Sequence, residues 1–382
     1  MQGVALLGST GSIGRRALAV LDRHADRFRV VALAAHRSAA ELAQQVARYR
    51  PELAVLVDGT KAAGNGTLGG CIRTGREALL DAATHPDVDI VINAVVGAAG
   101  LEATLSALYA GKRLALANKE SLVAGGPLVR AALVRGHGEL IPIDSEHSAI
   151  LQCMCGAPER SVARLILTAS GGPFRDWPLE RLRAASLEQA LRHPTWDMGA
   201  KVTIDSATLA NKALEVVEAH FLFEAGYDEI SVVVHPQSVI HSMVEFVDGS
   251  VLAQLGFPTM ELPILYALTH PQRIADHAAR RFDPVAAAGL TFEAVDGRRF
   301  PAFRLGVDAG RAGGTAPAVF NAANEVAVAG FLAGAIPFTG IAEVIARTLD
   351  AHDPCAADSL ETVLAADRRA RATAEAALRE VC

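Results

Sequence analysis

Short apolar runs alternate with amphipathic stretches along the first part of the chain. The runs that predict strands are Val4–Leu7, Val30–Ala34, Ala54–Val57, Ile90–Val95, Arg113–Ala117 and Leu140–Ile143. The segments between them carry alanine, leucine and charged residues at helical spacing, as in Ala39–Tyr49. Regular alternation of strands and helices is typical of a parallel sheet with helices on both faces. We therefore expect an α/β fold with an N-terminal doubly wound, Rossmann-like parallel sheet over residues 1–149.

The pattern changes after residue 150 and predicts a second, more antiparallel sheet. The predicted strands are Ala163–Thr168, Lys201–Ile204, Ile230–Val234, Ser242–Val247 and Ser250–Leu255. Asp248-Gly249 joins the last two strands and is a strong hairpin signal. Ala207–Phe223 has the pattern of a helix. These features indicate a central α+β domain over residues 150–285.

A segment within this central region lacks a clear period. Residues 170–200 are rich in Gly, Pro and Trp, and a structureless stretch of this length is typical of a functional lid or of disorder. Trp196 would then cover an apolar ligand surface, although a plain core tryptophan explains it equally well. Lys61–Gly70 is glycine-rich and is predicted to be a surface loop.

The remainder of the chain is helical in pattern. A stretch punctuated by Pro, Gly and Asp precedes four helical segments, Ala302–Ala312, Pro317–Ala333, Gly340–Asp350 and Ser359–Glu380. We expect a linker and a small C-terminal helical domain over residues 286–382.

Composition and charge exclude several classes of protein. The net charge of −6 argues against nucleic-acid binding, which requires a basic face. The longest apolar run, Ile90–Leu101, is too short to span a membrane, and the N-terminal residues lack the pattern of a signal peptide. Five scattered cysteines do not form a disulfide framework. We expect a soluble, cytoplasmic protein without a nucleic-acid or membrane partner.

A glycine loop follows the first predicted strand. Gly8-Ser9-Thr10-Gly11-Ser12-Ile13-Gly14 leads into a helix at about Ile13, and backbone N–H groups at such a helix start bind a pyrophosphate. The spacing is G-x-x-G-x-x-G rather than G-x-G-x-x-G, so a tight turn that needs small residues only for packing is the alternative.

The residues at the end of the second strand indicate whether a chain of this kind binds NAD or NADP. NAD enzymes usually carry an acidic residue there, whereas this chain has His36-Arg37-Ser38. A cation at this position suits the additional phosphate of NADP, so Arg37 and Ser38 favour NADPH. A solvated arginine at a strand end is the alternative.

Charged and amide side chains follow two later strands of the same predicted sheet. Asn118-Lys119-Glu120-Ser121 and Asp144-Ser145-Glu146-His147 each come directly after an apolar run. The carboxyl ends of parallel strands form the ligand crevice of such a sheet. In extended backbone Asp144 and Glu146 lie on one side and would bind Mg²⁺ or Mn²⁺, although acidic residues capping a helix give the same pattern.

Further candidates lie in the central region. Asn211 and Glu215 fall at i and i+4 of a predicted helix and share a face, so Glu215 is a candidate third metal ligand. Small donors that suit a phosphate group are Ser170, Ser206, Asn211 and Lys212.

These motifs and others resemble those of the 1-deoxy-D-xylulose 5-phosphate reductoisomerase family. The matching stretches lie at 8–14, 117–123 (Ala-Asn-Lys-Glu-Ser-Leu-Val), 144–147, 170–175 (Ser-Gly-Gly-Pro-Phe-Arg), 198–201 (Met-Gly-Ala-Lys), 205–208 (Asp-Ser-Ala-Thr), 235–243 (His-Pro-Gln-Ser-Val-Ile-His-Ser-Met) and 321–325 (Asn-Ala-Ala-Asn-Glu). The likeness extends along essentially the whole chain. His36 and Ser38 depart from the residues that the family often has there, glycine and asparagine.

The resemblance implies an NADPH- and divalent-metal-dependent homodimer acting on a small sugar phosphate. Its members convert 1-deoxy-D-xylulose 5-phosphate to 2-C-methyl-D-erythritol 4-phosphate in non-mevalonate isoprenoid precursor synthesis, with Mg²⁺ or Mn²⁺, and Co²⁺ as a further option. Residues 1–149 would bind NADPH, and residues 150–285 would form the catalytic, metal-binding and dimerisation domain with its lid at 170–200.

The resemblance also implies roles for individual residues. Contacts to NADPH would come from Thr10, Gly11, Ser12, Ile13, Asn118, Glu120 and Gly199. The metal ligands would be Asp144, Glu146 and Glu215. The substrate would be bound by Lys119, Ser145, Glu146, Ser170, His193, Ser206, Asn211, Lys212 and Glu215. Lys119, Glu146 and His193 are the catalytic candidates, the first two as the groups that manage protons.

Two other functions fit part of this pattern. A metal-dependent NADP dehydrogenase of a phosphorylated hydroxy acid would use the same groups without rearranging the carbon skeleton. A non-catalytic NADP sensor would not need three carboxylates and a lysine in its crevice.

Overall fold

The structure is a computed structural model that describes residues 1–61, 72–158, 160–287 and 289–381. Its strands are β1 Gln2–Leu7, β2 Phe28–Ala35, β3 Leu53–Leu56, β4 Ile72–Thr74, β5 Ile90–Asn93, β6 Arg113–Leu116, β7 Glu139–Pro142, β8 Val162–Ala169, β9 Ile230–Val234, β10 Ile240–Phe246, β11 Val251–Leu255 and β12 Glu293–Ala294. The described helices are α1 Ser12–Arg23, α2 Ala39–Tyr49, α3 Gly75–Thr84, α4 Leu101–Tyr109, α5 Lys119–Gly136, α6 Ser145–Met154, α7 Leu179–Leu182, α8 Leu187–Ala190, α9 Ala200–Thr208, α10 Ala210–Phe223, α11 Glu261–Thr269, α12 Pro301–Ala312, α13 Ala316–Leu332, α14 Gly340–Asp350 and α15 Leu360–Glu380.

The chain divides into two compact units. Unit 1 comprises Met1–Ser121, Leu128–Ser148 and Thr259–Ala279, and unit 2 comprises Leu122–Pro127, Ala149–Pro258 and Arg280–Cys382. This division groups Thr259–Ala279 with the N-terminal residues and the C-terminal helices with the central sheet. It differs in these respects from the three domains expected from the sequence, which stay a prediction.

Unit 1 contains a parallel sheet of seven strands in the order β4-β3-β2-β1-β5-β6-β7. Every pairing in it is parallel. Strands β1, β3 and β5 are buried along nearly their whole length, as expected where helices cover both sides of a sheet. Because the strand order reverses beside β1, the carboxyl ends of β1 and β5 flank the place where such sheets bind ligands. The doubly wound prediction is confirmed.

Unit 2 contains a five-stranded mixed sheet in the order β11-β10-β8-β9-β12. Only β8 and β9 pair in parallel, and the predicted hairpin joins β10 to β11 through Asp248 and Gly249. A separate core lies among α9, α10 and the C-terminal helices, where Leu214 and Phe320 are fully buried. The helical pattern of the C-terminal region is confirmed. No described helix is both long and apolar enough to cross a membrane.

Two predictions in this region are wrong in detail. Lys201–Ile204 is the start of helix α9 and not a strand, because Thr203 and Ile204 pack into the core and Lys201 pairs with Asp205 one turn later. The predicted helix Ala207–Phe223 is interrupted at Leu209, whose φ of 58° separates α9 from α10. Both errors arise where tertiary packing overrides local preference.

Other predictions concern loops. The predicted lid segment contains the short helices α7 and α8, so it is not a structureless stretch. Most of the predicted loop Lys61–Gly70 falls on residues 62–70, which lie outside the described residues.

Candidate active site

The glycine loop connects β1 to α1 at the reversal of strand order. Gly8 has a φ of +88°, and a Cβ there would lie 2.4 Å from the carbonyl oxygen of Ala94. A Cβ at Gly14 would lie 2.3 Å from the Gly8 oxygen. Gly11 differs, because its φ is −77° and the nearest atom to an added Cβ is 3.4 Å away. Close packing therefore explains why glycine occurs at positions 8 and 14. Packing does not require glycine at position 11, where the missing side chain instead allows a ligand to approach the start of the helix closely.

Arg37 and Ser38 lie just beyond the end of β2, where both are exposed. Arg37 Nε donates to Asp58 Oδ2 at 3.0 Å, so the ion pair fixes one edge of the guanidinium. Ser38 is the N-cap residue of α2, and its side chain makes no capping hydrogen bond. Both residues therefore present polar groups at the carboxyl edge of the sheet.

Asn118 organises the turn after β6. Its Nδ2 donates to the carbonyl oxygens of Val95 and Gly97 at 2.7 and 2.9 Å, and its Oδ1 accepts from the backbone N–H of Ser121 at 3.1 Å. The side chain is buried and caps α5. This hydrogen bonding gives Asn118 a positioning role, and Glu120 lies buried beside it with Oε2 3.1 Å from the same Nδ2.

Lys119 and two carboxylates meet where β6 and β7 end. Lys119 Nζ lies 2.5 Å from Asp144 Oδ2, and carboxylate oxygens of Asp144 and Glu146 lie within 4.8 Å of each other. Burial raises the pKa of Asp144, but the charges of Lys119 and His147, together with the hydrogen bonds from Lys119 and Glu146, hold this pKa well below the usual range. Asp144 therefore remains a carboxylate, which is the form that binds a divalent ion.

The backbone at this position differs from the expected one. Helix α6 begins at Ser145, so Asp144 and Glu146 are not two positions of an extended strand. Ser145 Oγ donates to Glu146 Oε2 at 2.6 Å and orients that carboxylate. The prediction of extended backbone was wrong, although the two carboxylates do lie together at the predicted edge of the sheet.

Three of the predicted substrate ligands converge in unit 2. His193 Nε2 lies 3.0 Å from Ser170 Oγ and 3.1 Å from Ser206 Oγ. Ser170 Oγ also accepts from the backbone N–H of Gly172 at 3.2 Å. The oxygen atom of each serine hydroxyl can accept a hydrogen bond from a nitrogen donor. The hydrogen atom of each hydroxyl can then be donated to an anionic ligand.

The hydrogen bonds of His193 define its protonation state. Its Nδ1 accepts from the backbone N–H groups of Thr195 and Trp196 at 3.1 and 2.8 Å. An accepting Nδ1 carries no proton, so the neutral ring has its hydrogen on Nε2 and donates it toward the two serines. Burial lowers the pKa of His193 to about 4.

This arrangement has a consequence for pH dependence. The pKa of His193 is lower in the folded chain than in the unfolded one, so the unfolded chain binds the proton first as the pH falls. The free energy of unfolding should therefore decrease from about pH 6.5 to about pH 4, and less steeply in His193→Gln. Urea unfolding at several pH values and an NMR titration of His193 check this expectation. An imidazole that titrates near its unperturbed pKa would contradict it.

Asn211, Lys212 and Glu215 form a second set on the first turns of α10. Asn211 Nδ2 donates to Glu215 Oε1 at 2.5 Å, and Lys212 forms a buried ion pair with the same carboxylate. The predicted shared face of Asn211 and Glu215 is confirmed. Glu215 is 1% exposed, so its charge is stabilised by these two donors.

The predicted lid is anchored over most of its length. Phe174 is fully buried and packs on Trp177 and Phe338 with ring centroids 4.6 and 4.9 Å apart. Leu182 and Ala190 are also core residues. Residues 191–199 lie outside helices and contain no buried residue; they include His193 and Trp196 and end at Gly199, the N-cap residue of α9.

We therefore expect a ligand to protect backbone amides from hydrogen exchange only in residues 191–199 of this segment. A phosphonate analogue of the sugar phosphate, added with Mg²⁺, should slow amide exchange in residues 191–199, because Ser170 and His193 would both contact the phosphonate. Residues 174–190 should be protected with and without the analogue. Trp196 fluorescence in a Trp177→Phe background is a second readout. Equal exchange of residues 191–199 in both states would contradict the lid.

Some buried polar residues near these sets were not identified from the sequence. Asp205 is 1% exposed, and its carboxylate pairs with Lys201 Nζ at 2.8 Å and accepts from Asn324 Nδ2 at 2.8 Å. Asp205 precedes Ser206, so this contact ties α13 to the helix that carries Ser206. The motifs at 205–208 and 321–325 contain the two residues of this contact. Because the residues are 119 positions apart in the sequence, the motifs alone did not indicate that they meet.

Models of the 1-deoxy-D-xylulose 5-phosphate reductoisomerase family match three parts of the chain. The model of that name matches residues 4–126, and two models of the family's C-terminal domain match residues 140–223 and 255–373. Proteins of the same name are similar along nearly the whole chain. The protein from Symbiobacterium thermophilum is 53% identical over 378 residues, covering 97% of each chain. That from Synechococcus sp. is 50% identical over 381 residues, covering 97% of this chain and 96% of its own.

Solved structures of similar chains have the same fold. The 1-deoxy-D-xylulose 5-phosphate reductoisomerase of Zymomonas mobilis, in complex with NADPH, superposes with a TM-score of 0.91 at 43% identity and covers 99% of each chain. A DOX-P reductoisomerase in complex with NADPH, fosmidomycin and magnesium superposes with a TM-score of 0.93 at 39% identity, covering 99% of this chain and 98% of its own.

Proposed function

The chain belongs to the 1-deoxy-D-xylulose 5-phosphate reductoisomerase family, and we propose that its own residues form the complete catalytic site of that activity. The chain is an NADPH- and divalent-metal-dependent oxidoreductase that converts 1-deoxy-D-xylulose 5-phosphate to 2-C-methyl-D-erythritol 4-phosphate. The observation that carries the proposal lies within unit 1. The glycine loop, Lys119 and the carboxylates of Asp144 and Glu146 all follow carboxyl ends of one parallel sheet.

We assign the divalent ion to Asp144, Glu146 and Glu215. Hard carboxylate oxygens suit Mg²⁺ or Mn²⁺, and Asp144 is held ionised by Lys119. Bound there, the ion supplies Lewis acidity toward the carbonyl and hydroxyl oxygens of the substrate. Glu215 already pairs with the ammonium of Lys212, so this buried carboxylate has a positively charged partner within the protein.

The phosphate group of the substrate is assigned to Ser170, His193, Ser206, Asn211 and Lys212. The two serine hydroxyls, whose oxygens are positioned by the Nε2–H of His193, are neutral donors, and the ammonium of Lys212 supplies charge. His193 therefore acts as a fixed hydrogen-bond donor rather than as a general acid. Binding of this remote group orients the reacting carbons and orders residues 191–199 over them.

Proton transfer is assigned to Lys119 and Glu146. The Nζ of Lys119 lies beside Asp144, where it can donate to a substrate oxygen that becomes negative during the rearrangement. Glu146 is oriented by Ser145 and can accept a proton from a substrate hydroxyl. NADPH supplies the hydride for the reduction.

NADPH is assigned to the glycine loop, to Arg37 and Ser38, and to the residues around Asn118, Glu120 and Gly199. The loop residues that would contact NADPH are Thr10, Gly11, Ser12 and Ile13. Packing within the protein does not require glycine at Gly11, so the missing side chain is explained by close approach of the cofactor. The N–H groups at the start of α1 then bind the pyrophosphate.

Arg37→Asp should reverse the preference between the two nicotinamide cofactors. The substitution removes the cation that would bind the 2′-phosphate and adds a carboxylate beside Asp58, so the KM for NADPH should rise by about 100-fold while that for NADH changes little. Arg48→Asp is a matched control, because Arg48 is equally exposed on α2 and pairs with Asp22. Equal use of NADPH and NADH by the unmodified enzyme would contradict this assignment.

The function is tested by following NADPH oxidation at 340 nm, the wavelength at which the reduced cofactor absorbs. Oxidation should require both 1-deoxy-D-xylulose 5-phosphate and Mg²⁺ or Mn²⁺, and it should stop when EDTA is added. Oxidation that continues in EDTA, or that proceeds only with a phosphorylated hydroxy acid, would overturn the proposal in favour of a simple dehydrogenase.

We also propose that the chain forms a homodimer. The edge strand β11 and the turn before it expose four apolar side chains, Val247, Val251, Leu252 and Leu255. An exposed apolar edge strand is a hazard for a monomer and suits a second copy of the chain. Sedimentation velocity should give a dimer, and Leu252→Lys should weaken it; a monomer at all concentrations would overturn the proposal.

We propose a cytoplasmic location. Cys153, Cys155 and Cys355 are free thiols, which suits a reducing compartment. Fractionation of the source cells, with detection by antibody, would overturn this proposal if the protein were found outside the cytoplasm.

A further inference from the structure

Helix α2 carries a buried glutamine that contacts the glycine loop. Gln45 is 8% exposed and Ser9 is fully buried. Ser9 Oγ donates to Gln45 Oε1 at 2.6 Å, and Gln45 Nε2 donates to the backbone oxygen of Ser9 at 3.1 Å. The two groups therefore form a reciprocal pair of hydrogen bonds inside unit 1, across 36 residues of sequence.

With these bonds, every polar group of Ser9 is hydrogen-bonded within the protein. Its backbone N–H donates to the oxygen of Ala34 at 2.9 Å, so the N–H, hydroxyl and carbonyl of Ser9 all bind the protein interior. Ser9 thus has no group left for a ligand, and it fixes the point from which residues 10–13 extend. Without Gln45, a buried hydroxyl and a buried carbonyl would lose their partner, and the loop would relax to recover them.

Gln45 also connects two parts of the proposed cofactor site. Helix α2 begins at Ala39, directly after Arg37 and Ser38, and Gln45 lies two turns further along. The same helix therefore sets the position of the residues assigned to the 2′-phosphate and, through Gln45, of the loop assigned to the pyrophosphate.

We propose that Gln45 is a positioning residue for NADPH, which acts through Ser9 to hold the glycine loop in its binding conformation. This inference rests on the proposed assignment of NADPH to that loop. It concerns affinity for the cofactor and not the chemical step, because Gln45 is buried behind the loop.

The test compares Gln45→Met with Gln44→Met. Methionine keeps the length of the side chain and removes both hydrogen bonds, and Gln44 is the adjacent, exposed glutamine of the same helix. The dissociation constant of NADPH is measured by cofactor fluorescence on the full chain without metal or substrate. We expect Gln45→Met to raise it by about tenfold, the effect of one or two hydrogen bonds, and Gln44→Met to leave it unchanged. The kcat at saturating NADPH and the KM for the sugar phosphate should not change in either variant.

The outcomes separate the possible explanations. A Gln45→Met enzyme that melts at a lower temperature but binds NADPH like Gln44→Met would overturn the inference and leave Gln45 with a structural role only. If Gln45→Met does not fold, Ser9→Ala removes the hydroxyl bond from the other side, and unchanged NADPH affinity in that variant would equally overturn it. Gly11→Asp tests the underlying assignment: unchanged affinity in that variant would overturn the placement of NADPH itself, whereas lost affinity there with none lost in Gln45→Met overturns only the role of Gln45.

Discussion

Glu215→Gln is expected to lower kcat/KM by about 10²–10³-fold, the scale on which removal of one electrostatic stabiliser acts in an active site. Amide oxygen binds a divalent ion more weakly than carboxylate does, and the loss of charge leaves the ion under-neutralised. Asp144→Asn and Glu146→Gln should have effects of the same order. The affinity for Mn²⁺, measured by electron paramagnetic resonance without substrate, should fall in parallel in all three variants.

The controls separate metal binding from stability. Glu215 is buried against Lys212, so its replacement leaves an ammonium without its partner and can destabilise the fold. Thermal unfolding measures that effect, and Asp144 provides a second variant at a position that is partly exposed. Glu139→Gln is the matched control, because Glu139 begins β7, the strand that leads to Asp144, and pairs with Arg113 and His270 at a half-buried site. Full activity of Asp144→Asn in EDTA-treated buffer would show that the assignment of the metal is mistaken.

Gly11→Asp should abolish NADPH binding without harming the fold. The backbone of Gly11 is open to any residue at a φ of −77°, and aspartate is a favourable N-cap residue for α1. A carboxylate about 4 Å from a pyrophosphate costs about 4 kcal/mol at an effective dielectric constant of about 20, which weakens binding about 1,000-fold. Isothermal titration with NADPH measures the loss, and circular dichroism measures the fold.

Gly11→Asn is the control for this prediction. Asparagine has nearly the same shape and the same capping ability but no charge, so it should weaken NADPH binding far less than aspartate does. If both variants bind NADPH as tightly as the unmodified enzyme, the glycine loop is only a tight turn.

The sequence predicted those parts of the site that depend on a regular pattern. Lys119 and Asp144 follow apolar runs, and neighbouring parallel strands necessarily end at one edge, so the pattern of the chain is sufficient to place them together. The i, i+4 spacing of Asn211 and Glu215 was also sufficient to place these two side chains together, because residues four apart are neighbours on one face of a helix.

The parts that were missed depend on packing between distant residues. Lys201–Ile204 has the residues of a strand, yet it forms a helix because Ile204 enters the core of unit 2 and Lys201 meets the buried Asp205. The left-handed backbone of Leu209 has no sequence signal, since leucine seldom adopts it. The contact of Gln45 with Ser9 joins a helix to a loop, and no periodicity links such positions.

The most direct test of the central claim is the carbon skeleton of the product. The purified enzyme is incubated with NADPH, Mg²⁺ and uniformly ¹³C-labelled 1-deoxy-D-xylulose 5-phosphate, and the product is analysed by ¹³C NMR. We predict a branched product in which the methyl group is attached to a quaternary carbon, formed in one-to-one proportion with oxidised NADPH and absent in EDTA. An unbranched, reduced sugar phosphate formed with the same consumption of NADPH would contradict the account.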